Sequence, residues 1–361
     1  MTARPAHTRA RRYAVIMAGG VGTRFWPHSR RRRPKQFLAM DGRRTLLQAT
    51  TDRLRGVVAS THILVVAPRD LAPLVRRQLP ALPRENLIIE PAARGTAACL
   101  ALAAAWIARR DPAAAMAVFP ADHTIGGIAR FHRCVRRAFA TAEEDDCLVT
   151  FGIPPTSAET GYGYIEVGAS VQRRPPRVNW VRRFIEKPER AVAQRLAASG
   201  RHLWNSGMFV WRVSVLRAEF ARHAAELGHV MDTFTAARPH AAASRRYRRL
   251  PPRSIDVALM EHAERVAVVA ATFDWNDVGS WAAMPALWGT DAAGNARRGE
   301  ALLVDCRNTV AYGATRLVAV VGADDLIVVD SGDAVLVCPR SRAQDVRRIV
   351  AALGGRHRQL L

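Results

Sequence analysis

From Tyr13 to Ile153 short β-branched runs alternate with helical stretches, and this alternation constrains the fold more than any other feature of the chain. Tyr13–Met17, Ile63–Ala67, Leu87–Glu90, Ala115–Phe119 and Leu148–Ile153 have strand character. Thr45–Leu54, Leu71–Leu79, the Ala-rich Thr96–Arg110 and Ile128–Ala142 have helical spacing. Strands alternating with helices of this length predict a mostly parallel sheet covered on both faces. Ligands of such sheets bind beyond the carboxyl ends of the strands. The loops directly after Met17, Glu90, Phe119 and Phe184 are therefore the candidate binding loops.

From Gly294 onward the texture changes. Ala301–Asp305, Leu317–Val321, Leu326–Asp330 and Ala334–Cys338 are short β-branched runs separated by Gly, Asp and Asn turns, with no helical pattern between them. They predict a small all-β domain with the character of a few β-helix coils, closed by a helix over Gln344–Leu353. With 361 residues, 49% of them hydrophobic, the chain can bury one large core and a smaller one. The expected division is a basic N-terminal tail over 1–12, a first domain over 13–290 and a β-rich domain over 291–361.

Composition excludes several classes. The formal charge of +23 invites a nucleic-acid role, but the arginines are scattered along the whole chain and no nucleic-acid-binding motif accompanies them. Cys99, Cys134, Cys147, Cys306 and Cys338 are an odd count with no metal-like spacing, which predicts a reduced, cytoplasmic protein without a disulfide framework. No apolar stretch has the length of a membrane span. Arg9, Arg11 and Arg12 before Tyr13–Ala18 imitate an export signal, yet Gly19-Gly20 and a cluster of arginines end the apolar run too soon.

Of the 54 basic side chains, only Lys35 and Lys187 are lysines. Lys is a compact point charge, whereas Arg is a wide planar fork that does not replace it in a crowded phosphate site. Two lysines kept among so many arginines predict two phosphate contacts. Lys35 follows the strongest segment of the chain, Met17-Ala18-Gly19-Gly20-Val21-Gly22-Thr23-Arg24-Phe25-Trp26-Pro27. A strand running into Gly-Gly-x-Gly-Thr-Arg offers backbone N–H groups to a phosphate. It is neither a dinucleotide fingerprint, since Phe25 occupies the third glycine position, nor a P-loop, since no Gly-Lys-Ser/Thr follows. Arg24 and Lys35 close behind the loop suit a triphosphate.

This segment, continued to Pro34-Lys35-Gln36-Phe37, resembles the mannose-1-phosphate guanylyltransferases (GDP-mannose pyrophosphorylases). Six further motifs extend the resemblance in order. They are Glu90-Pro91 with Arg94 and Thr96, Phe119-Pro120-Ala121-Asp122-His123, Gly161-Tyr162-Gly163-Tyr164-Ile165, Phe184-Ile185-Glu186-Lys187-Pro188, Trp204-Asn205-Ser206-Gly207-Met208-Phe209, and Trp275-Asn276-Asp277-Val278-Gly279-Ser280-Trp281. The resemblance runs from about residue 13 to about residue 350. It implies a Rossmann-like, GT-A-like nucleotidyltransferase domain of mixed, mostly parallel sheet, followed by a small β-helix-like domain. The implied reaction is transfer of GMP from GTP to mannose 1-phosphate with release of pyrophosphate, an in-line attack assisted by Mg²⁺.

The family pattern carries roles over residue by residue. Ala18, Gly19, Gly20, Gly22, Thr23, Glu90, Arg94, Gly95 and Thr96 resemble the nucleotide-binding positions, and Arg24 and Lys35 the catalytic cations. Asp122 and Asp277 resemble the two metal ligands. Gly163, Glu186, Lys187 and Asn205 resemble the sugar-phosphate site. Taken alone, Asp122 also reads as a cap or turn residue, Asp277 as a turn residue, and Glu186-Lys187 as a solvated strand end. Trp204, Met208 and Phe209 read as walls and core, and His123 receives no chemical role.

The chain departs from the pattern at Gly95, where relatives commonly carry Asn. The expectation is a narrower preference for GTP over ATP, widened by restoring Gly95→Asn. Some relatives also carry a C-terminal phosphomannose isomerase domain, and with the chain ending at Leu361 that activity is expected to be absent. The alternative readings are the same transfer with another hexose 1-phosphate or another base, or a catalytically silent sugar-nucleotide sensor. Neither nucleic acid nor membrane is an expected partner, and a homodimer is compatible with the sequence.

Overall fold

The computed structural model describes residues 11–20, 22–40, 42–236 and 241–361. Most of the expected basic tail, up to residue 10, lies outside the described residues. The chain divides into two compact units. One contains the segment up to Gly19 with Thr51–Pro120 and Ile125–Trp275; the other contains Gly20–Thr50, Ala121–Thr124 and Asn276–Leu361.

The strands, in chain order, are β1 (Arg12–Met17), β2 (Ile63–Pro68), β3 (Leu87–Glu90), β4 (Ala115–Pro120), β5 (Thr124–Ile125), β6 (Leu148–Ile153), β7 (Tyr164–Gln172), β8 (Val178–Ile185), β9 (His202–Arg212), β10 (Val266–Ala270), β11 (Trp275–Asn276), β12 (Ala296–Val304), β13 (Val310–Val321), β14 (Leu326–Asp330) and β15 (Val335–Pro339). The first unit is built on a nine-stranded sheet in the order β3-β2-β1-β4-β9-β6-β10-β8-β7. Parallel pairing joins β3, β2, β1 and β4, and also β6 and β10, while β9 and β8 run against their neighbours. The fold class is thus the mixed, mostly parallel sheet expected.

Tyr13, Ala14, Val15 and Ile16 are all buried, and so are Ile63 to Ala67. A strand covered on both faces reads as such a continuous apolar run rather than an alternating one. The helix Gly95–Ala108 is apolar all round and almost wholly buried, as a helix inside a core must be. The helix Ile128–Asp145 buries only Phe131, Cys134, Val135, Ala138, Phe139 and Ala142 among its apolar residues, at the three- and four-residue spacing of one face.

Register brings strand ends together. Met17 lies opposite Val66 and Pro120, and Pro68 opposite Glu90, so the loops after β1, β3 and β4 leave one edge of the sheet. The loop after Phe184 has a different origin. β8 is antiparallel to both β7 and β10, so the carboxyl-end rule for parallel strands does not reach it. Its last residue, Ile185, instead faces Tyr164, which also pairs with Trp204 beside Asn205.

In the second unit β12-β13-β14-β15 form a four-stranded sheet. Ala296 pairs with Val310, Ala301 with Val318, and Val310 with Ile327, all in parallel, so the chain returns beside itself every 14 to 17 residues without a helix. That is a coil of the β-helix kind. The final pairing, β14 with β15, is antiparallel. Val310, Ile327, Val329 and Leu336 point into a core shared with Phe25, Trp26, Leu38, Trp281 and Met284 of the same unit. The closing helix begins as a 3-10 turn over Arg340–Asp345 and becomes α-helical over Val346–Ala352.

Candidate active site

In the second unit the chemistry gathers on Lys35. Gly22 has φ +65° and precedes a 3-10 turn over Thr23–Phe25. A Cβ at Gly22 would stand 2.5 Å from the Lys35 Cβ, so the glycine loop lies directly on the lysine and tolerates no side chain. The Ser29 hydroxyl donates to the Gly22 carbonyl at 2.6 Å, and Gln36 Nε2 donates to the Gly20 carbonyl at 2.9 Å. Thr23 and Arg24 are half-buried in this turn, and Arg24 Nη1 donates to the Gly279 carbonyl at 3.3 Å.

Lys35 is 5% exposed. Its ammonium donates to the Asp277 carbonyl at 2.7 Å and the Val278 carbonyl at 2.9 Å, and meets Asp122 Oδ2 at 2.8 Å. These three acceptors match the three hydrogens of an ammonium group. Lys35 therefore ties the Asp122 segment to the Asp277–Val278 segment. Val278 is buried with φ +50°, a region costly for a β-branched residue, and its N–H is held by Asn276 Oδ1 at 2.7 Å. The strained turn aims the Val278 carbonyl at the ammonium.

Burial alone would raise the Asp122 carboxyl, but the charges of Lys35 and His123 and the Lys35 hydrogen bond hold it below its ordinary value. It is an anion with a partly exposed side chain. Among the described residues no group of three or more His, Cys, Asp and Glu side chains converges. Asp122 and Asp277 offer carboxylate oxygens, the ligand type of Mg²⁺, which is held by one or two carboxylates plus waters and substrate phosphates.

In the first unit the buried Ala18 spends its N–H on the Val66 carbonyl, and Gly19 follows it, exposed. Glu90, at the end of β3, is buried, and its Oε1 accepts from the Tyr247 hydroxyl at 2.6 Å. Burial raises the Glu90 carboxyl, offset in part by that bond and by the Arg94 amide. Burial, then the Glu90 charge, pushes the Tyr247 hydroxyl up, so it remains a donor. Arg94 Nε is buried without a partner among the described residues. Thr96 Oγ1 accepts from Ile255 N–H at 2.8 Å.

Gly95 has φ +81°, and a Cβ there would fall 2.1 Å from the Arg253 carbonyl oxygen and 2.8 Å from its nitrogen. The expected Gly95→Asn substitution meets this contact. No side chain enters without moving the Arg253 backbone, which itself bonds to Arg94 and Ala97. Glycine at 95 answers to local packing.

The predicted sugar-phosphate residues also meet in the first unit. A Cβ on Gly163 would lie 2.6 Å from Glu186 Oε2 and 3.3 Å from the Asn205 Cβ, so glycine there makes room for the carboxylate. Glu186 Oε1 pairs with Lys187, whereas Glu186 Oε2 is buried without a partner among the described residues. Lys187 has φ +44° and a side chain 59% exposed. The Tyr162 ring packs between Trp204 at 5.2 Å and Trp275 at 5.4 Å, as walls would. Asn205 Oδ1 accepts from the Thr150 hydroxyl at 3.1 Å and from Gly207 N–H at 3.3 Å.

Tyr247, Asp256 and Thr150 touch predicted site residues yet were not read as such from the sequence. Tyr247 lies in the arginine-rich helix Ala241–Arg249, and Thr150 in an apolar strand. Neither offers a local signal. Asp256, in Ser254-Ile255-Asp256, has the form of an ordinary helix cap.

The family model described as Nucleotidyl transferase matches residues 13–290, and that described as MannoseP isomerase/GMP-like beta-helix domain matches residues 299–353. The chain is 41% identical over 351 residues to the xanthan biosynthesis protein XanB of Xanthomonas campestris, covering 94% of this chain and 72% of that protein. It is 38% identical over 350 residues to a mannose-1-phosphate guanylyltransferase of Escherichia coli, covering 94% and 73%. A solved structure from Thermus thermophilus, described as a mannose-1-phosphate geranyltransferase, superposes with a TM-score of 0.86 at 34% identity, covering 95% of this chain and 99% of that one.

Proposed function

The chain belongs to the mannose-1-phosphate guanylyltransferase family and is a nucleotidyltransferase, and on that premise we propose that it transfers GMP from GTP to mannose 1-phosphate, releasing pyrophosphate. The observation that carries this reading is the Lys35 ammonium, which holds the Asp122 carboxylate and the Asp277–Val278 carbonyls beside the glycine loop and Arg24. Such a cluster places positive charge and hard oxygen donors together, as phosphoryl transfer between two polyanions requires.

In the proposed mechanism Gly19, Gly20, Gly22 and Thr23 receive the nucleotide with backbone N–H groups. Arg24 neutralises charge on the triphosphate and on the departing pyrophosphate. Lys35, its three hydrogens engaged by protein oxygens, contributes by holding the two aspartate segments together. Asp122 and Asp277 are the residues that would hold Mg²⁺, which when bound neutralises phosphate oxygens and favours departure of pyrophosphate. Glu90, oriented by Tyr247, and the Arg94–Thr96 turn face the base. The sugar phosphate is taken by Lys187 through its phosphate and by Glu186 and Asn205 through its hydroxyls. The phosphate oxygen then attacks the α-phosphorus, and no covalent protein intermediate is needed.

The odd cysteine count without metal-like spacing is the feature that supports a cytoplasmic site of action. No helix among the described residues is long and apolar enough to cross a membrane. The test is a pyrophosphate-release screen crossing four nucleoside triphosphates with several hexose 1-phosphates, with and without chelator. GTP with mannose 1-phosphate should give the largest kcat/KM, and chelator should abolish it. A preference for another pair would leave the nucleotidyltransferase and remove the proposed substrates.

A further inference from the structure

One carboxylate of the first unit has no part in the mechanism above. Asp256 opens a single π-helical turn, Asp256–Met260, closed by Glu261 N–H on the Asp256 carbonyl at 3.0 Å. Single π turns are rare and frequently mark functional sites. The residues before it are pinned to the Arg94–Ala97 turn: Arg253 N–H reaches the Arg94 carbonyl, Ala97 N–H reaches the Arg253 carbonyl, and Ile255 N–H reaches Thr96 Oγ1. Asp256 is therefore delivered on a fixed piece of backbone.

Its Oδ1 accepts from Asn205 Nδ2 at 2.7 Å. The same amide is held at its oxygen by the Thr150 hydroxyl and Gly207 N–H. A carboxylate can only accept, so it must face the NH₂ end of the amide. Turned over, Asn205 would set its oxygen against the carboxylate and its NH₂ against the Gly207 N–H. An amide NH₂ carries two hydrogens, and Asp256 takes one of them. Beside Asn205 lie Gly163 and the buried Glu186 Oε2, which has no partner among the described residues.

We propose that Asp256 is a positioning residue for sugar recognition, fixing the Asn205 amide so that its second N–H is offered to a hexose hydroxyl next to the Glu186 acceptor. Donor and acceptor together suit neighbouring sugar hydroxyls, each of which can give and take a hydrogen bond. The inference rests on the reading that Asn205 and Glu186 belong to the sugar-phosphate site. The electrostatics fit a group retained at a cost to folding. Burial, then the charge of Glu186, pushes the Asp256 carboxyl up to about 6, against the pull of the Asn205 bond and Lys187. A raised acid favours the protonated folded state, so stability attached to Asp256 declines as pH rises from its unfolded value toward about 6. Removing the charge should not lower the melting temperature at neutral pH.

The test compares Asp256→Leu, Asp256→Ala, Asp256→Asn, Asn205→Ala and Asp256→Leu/Asn205→Ala. Pyrophosphate release is followed with GTP saturating and mannose 1-phosphate varied, and calorimetry measures binding of mannose 1-phosphate directly. Asp256→Leu should raise the sugar-phosphate KM about tenfold, with kcat and the GTP KM changed by less than about twofold. Asp256→Asn keeps an acceptor oxygen and should recover most of the loss. The double variant should be no worse than Asn205→Ala, because both act through one bond. A parent-like sugar KM in Asp256→Leu and Asp256→Ala, multiplying effects in the double variant, or failure of both Asp256→Leu and Asp256→Ala to fold would each overturn the proposal. If the parent binds mannose 1-phosphate without turning it over, only the proposed reaction fails. If it binds another hexose 1-phosphate instead, the same comparison is made with that sugar. If it binds none, the sugar site and the role of Asp256 fall together.

Discussion

Replacing Lys35 tests the centre of the proposed site. Its ammonium serves three oxygens at 2.7 to 2.9 Å from a single nitrogen that is almost wholly buried. Lys35→Met keeps the stem and leaves the Asp277 and Val278 carbonyls without that donor and Asp122 without its cation. An unsatisfied buried carbonyl costs about 1–3 kcal/mol, and the partly exposed ion pair adds at most about 1 kcal/mol. Allowing for partial rehydration, the expected loss is about 2–4 kcal/mol, or a fall in melting temperature of roughly 5 °C or more. Lys35→Arg should lose nearly as much. A guanidinium spreads its donors over a plane and cannot bring one nitrogen to three acceptors, and the Gly22 loop leaves its stem no room to retreat. Turnover should fall by about 100-fold or more in both, since the two aspartate segments lose their common anchor. The assays are thermal unfolding and pyrophosphate release at saturating substrates. An Lys35→Arg protein with the parent's melting temperature and kcat would refute the reasoning.

Asp122→Asn should lose most turnover but keep its fold better than Asp122→Ala, because the amide oxygen still accepts from Lys35; circular dichroism beside the rate assay decides. The Asp122 carboxyl is held below its ordinary value, so its contribution to stability is present above the unfolded value and disappears as pH falls through the folded one. Below about pH 4 the parent's melting temperature should therefore drop toward that of Asp122→Asn. Lys187→Met should raise the sugar-phosphate KM by about tenfold with little change in kcat, whereas Lys187→Arg should stay within about threefold, because the side chain is largely exposed. Tyr247→Phe frees Glu90 Oε1 and should raise the GTP KM while narrowing the ratio of kcat/KM for GTP and ATP; an unchanged ratio would remove Glu90 from base recognition.

The half of the sheet around β1 to β4 was legible because parallel strands buried on both faces write themselves as continuous apolar runs, and the helices between them carry their own spacing. The strands β7 to β10 were not assigned. β9 runs from His202 to Arg212 with Gly207 at φ +68° in a register shift between β6 partners, so its side-chain alternation is broken where a reader would look for it. Its insertion between β4 and β6 is decided by pairing across the sheet, which no local pattern reports. The β-helix character of the C-terminal strands was legible in the turn residues; the coil period of 14 to 17 residues became visible only through the register.

The scarcity of lysine reads as two phosphate contacts, and the structure supplies a reason to prefer Lys over Arg at only one of the two positions, where the acceptors are oxygens of the protein itself. Around Lys35 the acceptors are close, buried and matched to a point charge, so the preference for Lys over Arg follows from geometry. Around Lys187 the side chain is mostly in solvent and pairs with its neighbour Glu186, so nothing in the surrounding space excludes the wider fork. Gly95 gives the converse lesson. Its departure from the family pattern was read as a change in the chemistry offered to the base, yet the Arg253 backbone occupies the space a side chain would need. A residue type in a motif can be set by the ligand or by the chain segment behind it. The sequence alone does not separate these causes when the segment behind lies 158 positions away, as Arg253 does from Gly95. The same long contact, Thr96 to Ile255, carries Asp256 to Asn205, so the residue that explains Gly95 and the residue proposed to orient the sugar site belong to one stretch of backbone.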